Sequence, residues 1–126
     1  MVITQSKSKR SPTGARYHAH RKKKLYDTGS EPTHTRIGNI KSKKVRTMGG
    51  KKKERVFLND VANVLDSKTG KYTKAKIKSV IENPANRNFI RRNILTKGAI
   101  IETEKGKAKI TSRPSQEGSI NAVLVS

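Results

Sequence analysis

The side chains best equipped for chemistry in this sequence are its lysines and arginines, and their spacing sorts them into clusters. Lys7, Lys9 and Arg10 form the first, and Arg21, Lys22, Lys23 and Lys24 the second. Lys41, Lys43, Lys44 and Arg46 form the third, and Lys51, Lys52, Lys53 and Arg55 the fourth. Arg16 and Arg36 stand between clusters, and Arg91-Arg92 is a separate basic pair further on. Such groups carry fixed positive charge on long stems, the chemistry that neutralises a row of phosphates and releases their counterions. Gly49 and Gly50 separate two clusters, where glycine lets backbone approach a phosphate closely and adopt positive φ. Tyr17, His18 and His20 lie in the same basic stretch, with Tyr26 just beyond it. These rings suit stacking on unpaired bases or hydrogen bonding to phosphate.

Other chemistries find less in the sequence. His18 and His20 at i, i+2 have no cysteine to join them and sit among Arg16, Arg21 and Lys22, a poor field for a cation, so no metal site is expected. Gly49-Gly50-Lys51 lacks the spacing of a phosphate-binding P-loop. Glu102 and Glu104 read as surface charge beside Lys105 and Lys107, while Asp60, Asp66 and Glu82 are scattered near turns. No nucleophile has an identifiable base, so no enzyme, cofactor or small-molecule substrate is expected. With five aromatic residues in all, a stacking platform of the RNA recognition motif type is also excluded.

The elements that must position these charges follow from composition. Thirty Lys and Arg against nine Asp and Glu give a net charge of +21 on 126 residues. Residues 1–55 hold seventeen of the basic residues and three of the acids. Apolar residues run the other way: Leu, Ile, Val and Phe number six in residues 1–55 and twenty in residues 56–126. Below roughly 20% of such residues, a highly charged segment does not bury enough surface to fold alone. The expected organisation is therefore a basic RNA-binding extension over 1–44, disordered without RNA, and a small domain over 45–126. The absence of cysteine fits a reducing compartment. No apolar run approaches the ~18 residues of a membrane span. The first residues lack an apolar signal region, so a cytoplasmic location is expected.

Within the extension, loops and extended stretches are expected, with a short helical turn near residues 19–25 and Ile37 and Ile40 as isolated anchors. From Val45 onward the pattern is strand-like. Residues 73–81 alternate, with Ala75, Ile77, Ser79 and Ile81 on one face and Lys74, Lys76 and Lys78 on the other. Residues 99–103 and 107–112 flank Glu104-Lys105-Gly106 as a β-hairpin. Residues 114–118 form a turn and 119–125 a last strand. Residues 55–66 fit strand or helix, and 87–95 a short helix or an irregular link. Many short strands with regular turns predict a mainly β fold, a small β-barrel carrying a long, basic, irregular N-terminal extension.

The combined motifs resemble a known family. Arg10-Ser11-Pro12-Thr13-Gly14-Ala15, then Arg21-Lys22-Lys23-Lys24 and Gly29, are similar to the N-terminal pattern of the "eight-e" ribosomal proteins of archaea and eukaryotes. These belong to the small subunit and are distinct from the universal protein numbered eight. Thr35-Arg36-Ile37-Gly38 and Val45-Arg46-Thr47-Met48-Gly49-Gly50 with Lys53 continue the likeness. So do Asn83-Pro84-Ala85-Asn86, Thr96-Lys97 and Ala99-Ile100-Ile101-Glu102. Tyr26-Asp27-Thr28-Gly29 departs from the usual ending of the first motif. The long insertion of eukaryotic relatives is absent, so the chain is similar to archaeal members. The resemblance implies a small β-barrel with a basic extension, bound to small-subunit rRNA beside neighbouring small-subunit proteins. The rival readings are an assembly factor on precursor rRNA, a DNA-compacting chromatin protein and, least supported, an RNA-modifying enzyme.

Overall fold

A computed structural model describes residues 3–5, 8–18, 20–22 and 24–125. The chain divides into two compact units, Met1–Pro32 and Thr33–Ser126. The boundary expected at residue 44 falls instead inside a strand. Residues 33–44, grouped above with the extension, belong to the second unit, because Thr35 and Arg36 pair with strand backbone far along the chain.

The first unit is mostly irregular, as a segment without apolar periodicity must be. Strand β1 (Ile3–Thr4) pairs antiparallel with β2 (Thr28–Gly29), and a 3-10 turn spans Leu25–Asp27. The helical turn expected near 19–25 is thus displaced toward Asp27; Ala19 and Lys23 lie outside the described residues. A tight loop joins Arg10 to Arg16, closed by Ser11 N–H on Ala15 C=O (2.9 Å) and by the Arg10 guanidinium on Gly14 C=O (2.8 Å).

The second unit runs β3 (Lys41–Arg46), β4 (Lys52–Leu58), β5 (Val61–Leu65), β6 (Tyr72–Glu82), α1 (Asn88–Arg91), β7 (Ile100–Thr103), β8 (Gly106–Ile110), α2 (Pro114–Glu117) and β9 (Asn121–Leu124). Strands β5 to β9 close into a barrel in sequence order, antiparallel except where β9 returns beside β5 in parallel. Closure removes the open edges that would otherwise invite pairing with other chains. The interior of a five-stranded barrel is narrow, and the sequence fills it accordingly. Ala62, Ala75, Ala99, Ala108 and Ala122 share the core with Val64, Ile77, Val80, Leu95, Ile101, Ile110 and Ile120. The small side chains make room for the branched ones.

The expected mainly β fold, the 99–112 hairpin and the last strand are present, and residues 55–66 resolve into the end of β4 and all of β5. The alternation expected over 73–81 holds only to Ile77. Pairing of β6 with β7 shifts register between Ile77 and Ser79 and again between Val80 and Glu82. Irregularities of this kind turn side chains to the opposite face. Val80 is therefore buried and Ile81 is 39% exposed. The freed Val80 N–H donates to Asn93 Oδ1 (3.3 Å), with Asn93 itself at φ 49°. Of the two expected anchors, Ile37 packs against the core and Ile40 is exposed.

The recurring motif residues after β6 have a structural explanation. Buried Asn83 donates Nδ2–H to Ile94 C=O (3.1 Å), and its Oδ1 accepts from Ala85 N–H (3.0 Å) and Thr96 Oγ1–H (2.9 Å). One amide thus ties both ends of the α1 connection, and among the described residues no buried side-chain nitrogen or oxygen lacks a hydrogen-bond partner.

The register shift can be checked by stability. Ile101→Ala should cost about 2–5 kcal/mol, as for other core isoleucines. Ile81→Ala should cost less than about 1 kcal/mol, because its side chain is already partly in water. Urea denaturation of both variants measures this, and equal losses would restore an unbroken strand.

Candidate nucleic-acid interface

The third and fourth basic clusters face each other across one hairpin. Strands β3 and β4 are antiparallel, with Lys43 opposite Arg55, Lys44 opposite Glu54, Val45 opposite Lys53 and Arg46 opposite Lys52. Two of these pairs set like charge against like charge, an arrangement that destabilises a sheet. Glu54 is the hairpin's one acid, and its carboxylate accepts a hydrogen bond from Ser42 (2.8 Å). Lys41, Lys43, Lys44, Arg46, Lys51, Lys52 and Lys53 are exposed, and Arg55 is half-buried. The sequence pattern turns strand-like at Val45, whereas β3 begins at Lys41, where closely spaced lysines conceal strand alternation.

The hairpin tip is closed by Thr47, whose N–H and Oγ1–H both donate to Lys51 C=O (2.7 and 2.9 Å). Gly49 and Gly50 then take φ values of 76° and 74°, with open space where a Cβ would be. Met48 projects beside them, 89% exposed. A tip of bare backbone between two basic strands fits a narrow, anionic space.

An isolated two-stranded hairpin is marginal in water, so other elements must hold this one. Val56 is fully buried, and α2 packs on β4. Residues 35–36 run alongside as a third, short strand. Thr35 Oγ1–H donates to Val56 C=O (2.6 Å), Arg36 N–H to Phe57 C=O (2.9 Å) and Asn59 N–H to Arg36 C=O (3.1 Å). On its other side Leu95 N–H donates to Thr35 C=O (2.8 Å). Arg36 bridges to Ile94, two residues beyond the exposed Arg91-Arg92 pair at the end of α1.

The remaining sequence-derived residues lie in the first unit. Lys9, Arg10, Arg16, Tyr17, His18, His20, Arg21, Lys22 and Lys24 are all exposed, and Lys9, Arg10 and Arg16 gather at the neck of the 10–16 loop. Lys7 and Lys23 lie outside the described residues. Arg21 is engaged: its guanidinium pairs with Asp27 at 2.8 Å and lies 5.2 Å from the Tyr26 ring centroid, a cation–π contact. Among the described residues this is the one ion pair within 4 Å. Nearly all the positive charge of the described residues is therefore without an acidic partner within 4 Å. Exposed Glu102 sits opposite Lys107 across β7 and β8, beside the lysine expected to balance it, and accepts a hydrogen bond from Ser79 (3.1 Å). Among the described residues, no three His, Asp or Glu side chains converge as metal ligands, and no helix is long and apolar enough to cross a membrane.

Sequence reasoning missed one feature. An open groove of about 700 Å³ lies between residues 33–36 and the hairpin, lined by Thr33, His34, Arg36, Lys41, Ser42, Lys43, Phe57 and Leu58. It escapes detection from sequence because Arg36 and Leu58 meet only through long-range pairing.

Residues 4–125 match the family described as ribosomal protein S8e. The chain belongs to the ribosomal protein S8e family. It is 54% identical to the small ribosomal subunit protein eS8 of Methanocorpusculum labreanum, covering 98% of this chain and 99% of that one. The eS8 proteins of Methanobrevibacter smithii and Methanosarcina barkeri are 47% and 50% identical, over 99% and 96% of this chain and 100% and 97% of theirs. The S8e family is one of ribosomal proteins and is non-enzymatic, so the basic residues are read as binding groups.

The Arg21–Asp27 pair gives this S8e chain a pH signature. The Arg21 guanidinium holds the Asp27 carboxyl below its ordinary value of 3.8, helped by the Lys24 N–H. A lowered carboxylate pKa stabilises the turn above the ordinary range, and that contribution disappears as pH falls through the lowered midpoint. Carboxyl NMR should place the Asp27 midpoint below 3.8, and Arg21→Gln should raise it. An unmoved midpoint would assign the shift to the Lys24 N–H and to His20.

Proposed function

We propose that this chain is a structural constituent of the small ribosomal subunit that binds small-subunit rRNA through phosphate contacts. The observation that carries this reading is the facing of Lys43 with Arg55 and of Arg46 with Lys52 across one hairpin. Among the described residues no acid pairs with these four within 4 Å, and closely spaced phosphates would offset their repulsion. The names of the eS8 relatives supply the subunit. Phosphate contacts position the protein without reading sequence, so register comes from shape: the glycine tip and the rigid barrel fit spaces between RNA helices. The basic groups of residues 9–55, with Arg91 and Arg92, form the phosphate-binding set. The extension, whose short strands bury little, orders when RNA neutralises it. Neighbouring small-subunit proteins meet the surfaces that rRNA leaves uncovered, and the protein works where ribosomes do.

Replacing Lys43 and Lys52 together by Thr separates binding from stability. Removing both like-charge pairs should raise the melting temperature of the free protein, by an amount equivalent to about 0.4–2 kcal/mol. The same variant should bind small-subunit rRNA more weakly, with the slope of log K against log[salt] shallower by roughly 1.5–2. A variant that is less stable, or whose slope is unchanged, would remove the hairpin from the RNA interface. Tighter binding to duplex DNA than to small-subunit rRNA would favour the chromatin reading instead. Sedimentation with precursor particles alone would favour the assembly-factor reading.

Ordering of the extension is tested by amide hydrogen exchange. Residues 8–18 should exchange rapidly in the free protein and slow by at least tenfold with rRNA, while β6 and β7 stay protected throughout. Equal protection of residues 8–18 in both states would show that RNA has no part in ordering them.

A further inference from the structure

We propose that the groove between residues 33–36 and the β3–β4 hairpin receives a single unpaired base of rRNA. The inference rests on the rRNA reading above and adds a specific pocket to it. About 700 Å³ of open space is available, within the range of pockets that take small organic ligands, roughly 300–1,000 Å³. Phe57 and Leu58 give it an apolar wall, and His34 a second ring. Arg36, Lys41 and Lys43 line it as well, with no acidic residue among the lining. This combination of aromatic faces and unopposed cations matches a nucleotide, whose base stacks while its flanking phosphates bind Lys and Arg. An apolar peptide would leave those cations facing nothing.

The groove is built in advance of its occupant. Arg36 lines it, and the 35–36 segment is clamped between β4 and residues 94–95 by Thr35 Oγ1–H on Val56 C=O, Arg36 N–H on Phe57 C=O and Leu95 N–H on Thr35 C=O. His34 sits at φ 47°, in the left-handed region that non-glycine residues occupy uncommonly. Its ring is set edge-on to Phe89 of α1, 5.4 Å between centroids at 71°. The Phe89 contact fixes that ring independently of any ligand. Phe57 is among the groove-lining residues, 36% exposed on a strand that also carries Lys52, Lys53 and Arg55. An aromatic residue left in water on so basic a strand adds little to folding, whereas a ring at the mouth of a groove is placed to stack.

The test uses the full chain and small-subunit rRNA transcripts. Ultraviolet irradiation should produce nucleotide adducts on the peptides that contain Phe57 or His34. Phe57→Ala and His34→Ala should each weaken rRNA binding by roughly 5- to 150-fold, the range expected for loss of one stacked base. Stacking releases no phosphate counterion, so the salt slope should stay as in the parent protein. Lys43→Gln should instead make the slope shallower. Phe57→Tyr keeps an aromatic face and should restore binding, which excludes a folding defect as the cause. Unchanged affinity in both alanine variants, without adducts at either peptide, would overturn the pocket while leaving rRNA binding by the protein intact. Weakened incorporation of Phe57→Ala into subunits, with full affinity for naked rRNA, would overturn it in favour of a neighbouring protein. No preference of the parent chain for small-subunit rRNA over duplex DNA would overturn both the pocket and the reading beneath it.

Discussion

Mutual repulsion among basic side chains is the constraint on which the rest of this molecule depends. A net charge of +21 on 126 residues, with one ion pair among the described residues, leaves the compact state under electrostatic stress. Interspersed acids would relieve it, and this sequence does not use them. Residues 33–58 hold nine basic residues and one acid, Glu54, yet they form an ordered hairpin with a supporting strand. The hairpin persists because its base is anchored apolarly at Val56 and by backbone bonds to Thr35 and Arg36, while the charge is directed outward. Order is thus secured at one end of the hairpin and the repulsive load is carried at the other.

The same constraint explains the division of labour along the chain. A closed barrel with an alanine-rich interior is a small core, but it has no open edge. It can therefore be stable despite the charge that it carries itself. Lys74, Lys76 and Lys78 on β6 are exposed, so the barrel too is basic outside. Its charges, however, lie on a surface that hydrogen bonding already holds, and they need no partner in order to stay in place. The extension lacks such support. Its described basic residues lie outside the two short strands, in loops and turns whose local bonds, such as Arg10 to Gly14 C=O, fix geometry over a few residues at a time.

Much of this was legible in the sequence, and what was not has physical causes. The hairpin at residues 99–112 could be read because a central glycine separates two β-branched runs, a local signal. Ile81 was misplaced because a register shift depends on the partner strand, and β7 lies about twenty residues away. The beginning of β3 was hidden because a strand whose faces both meet water has no hydrophobic alternation to display. The basic clusters were visible as charge alone. Their pairing across β3 and β4 was not, since it depends on where the chain turns, and Thr47 and the two glycines decide that. His34 and Phe57 were invisible as a site because neither lies near the other in sequence. Their groove exists only once Arg36 has paired with both Leu58 and Ile94.

Arg36 is where these threads meet. Its backbone joins the hairpin to the connection that carries α1, and its side chain lines the groove. Its neighbour Thr35 is 2% exposed and donates to Val56, so the segment cannot shift without breaking a buried bond. A buried hydroxyl stripped of its acceptor costs about 1–3 kcal/mol, a large share of the stability of a core this small. The hairpin, the α1 connection and the groove are consequently one mechanical unit. Any ligand that draws the hairpin's lysines toward phosphate also loads the 35–36 segment, and through it the Asn83 amide that ties the α1 connection. The barrel thereby serves as the rigid body against which the charged hairpin is braced.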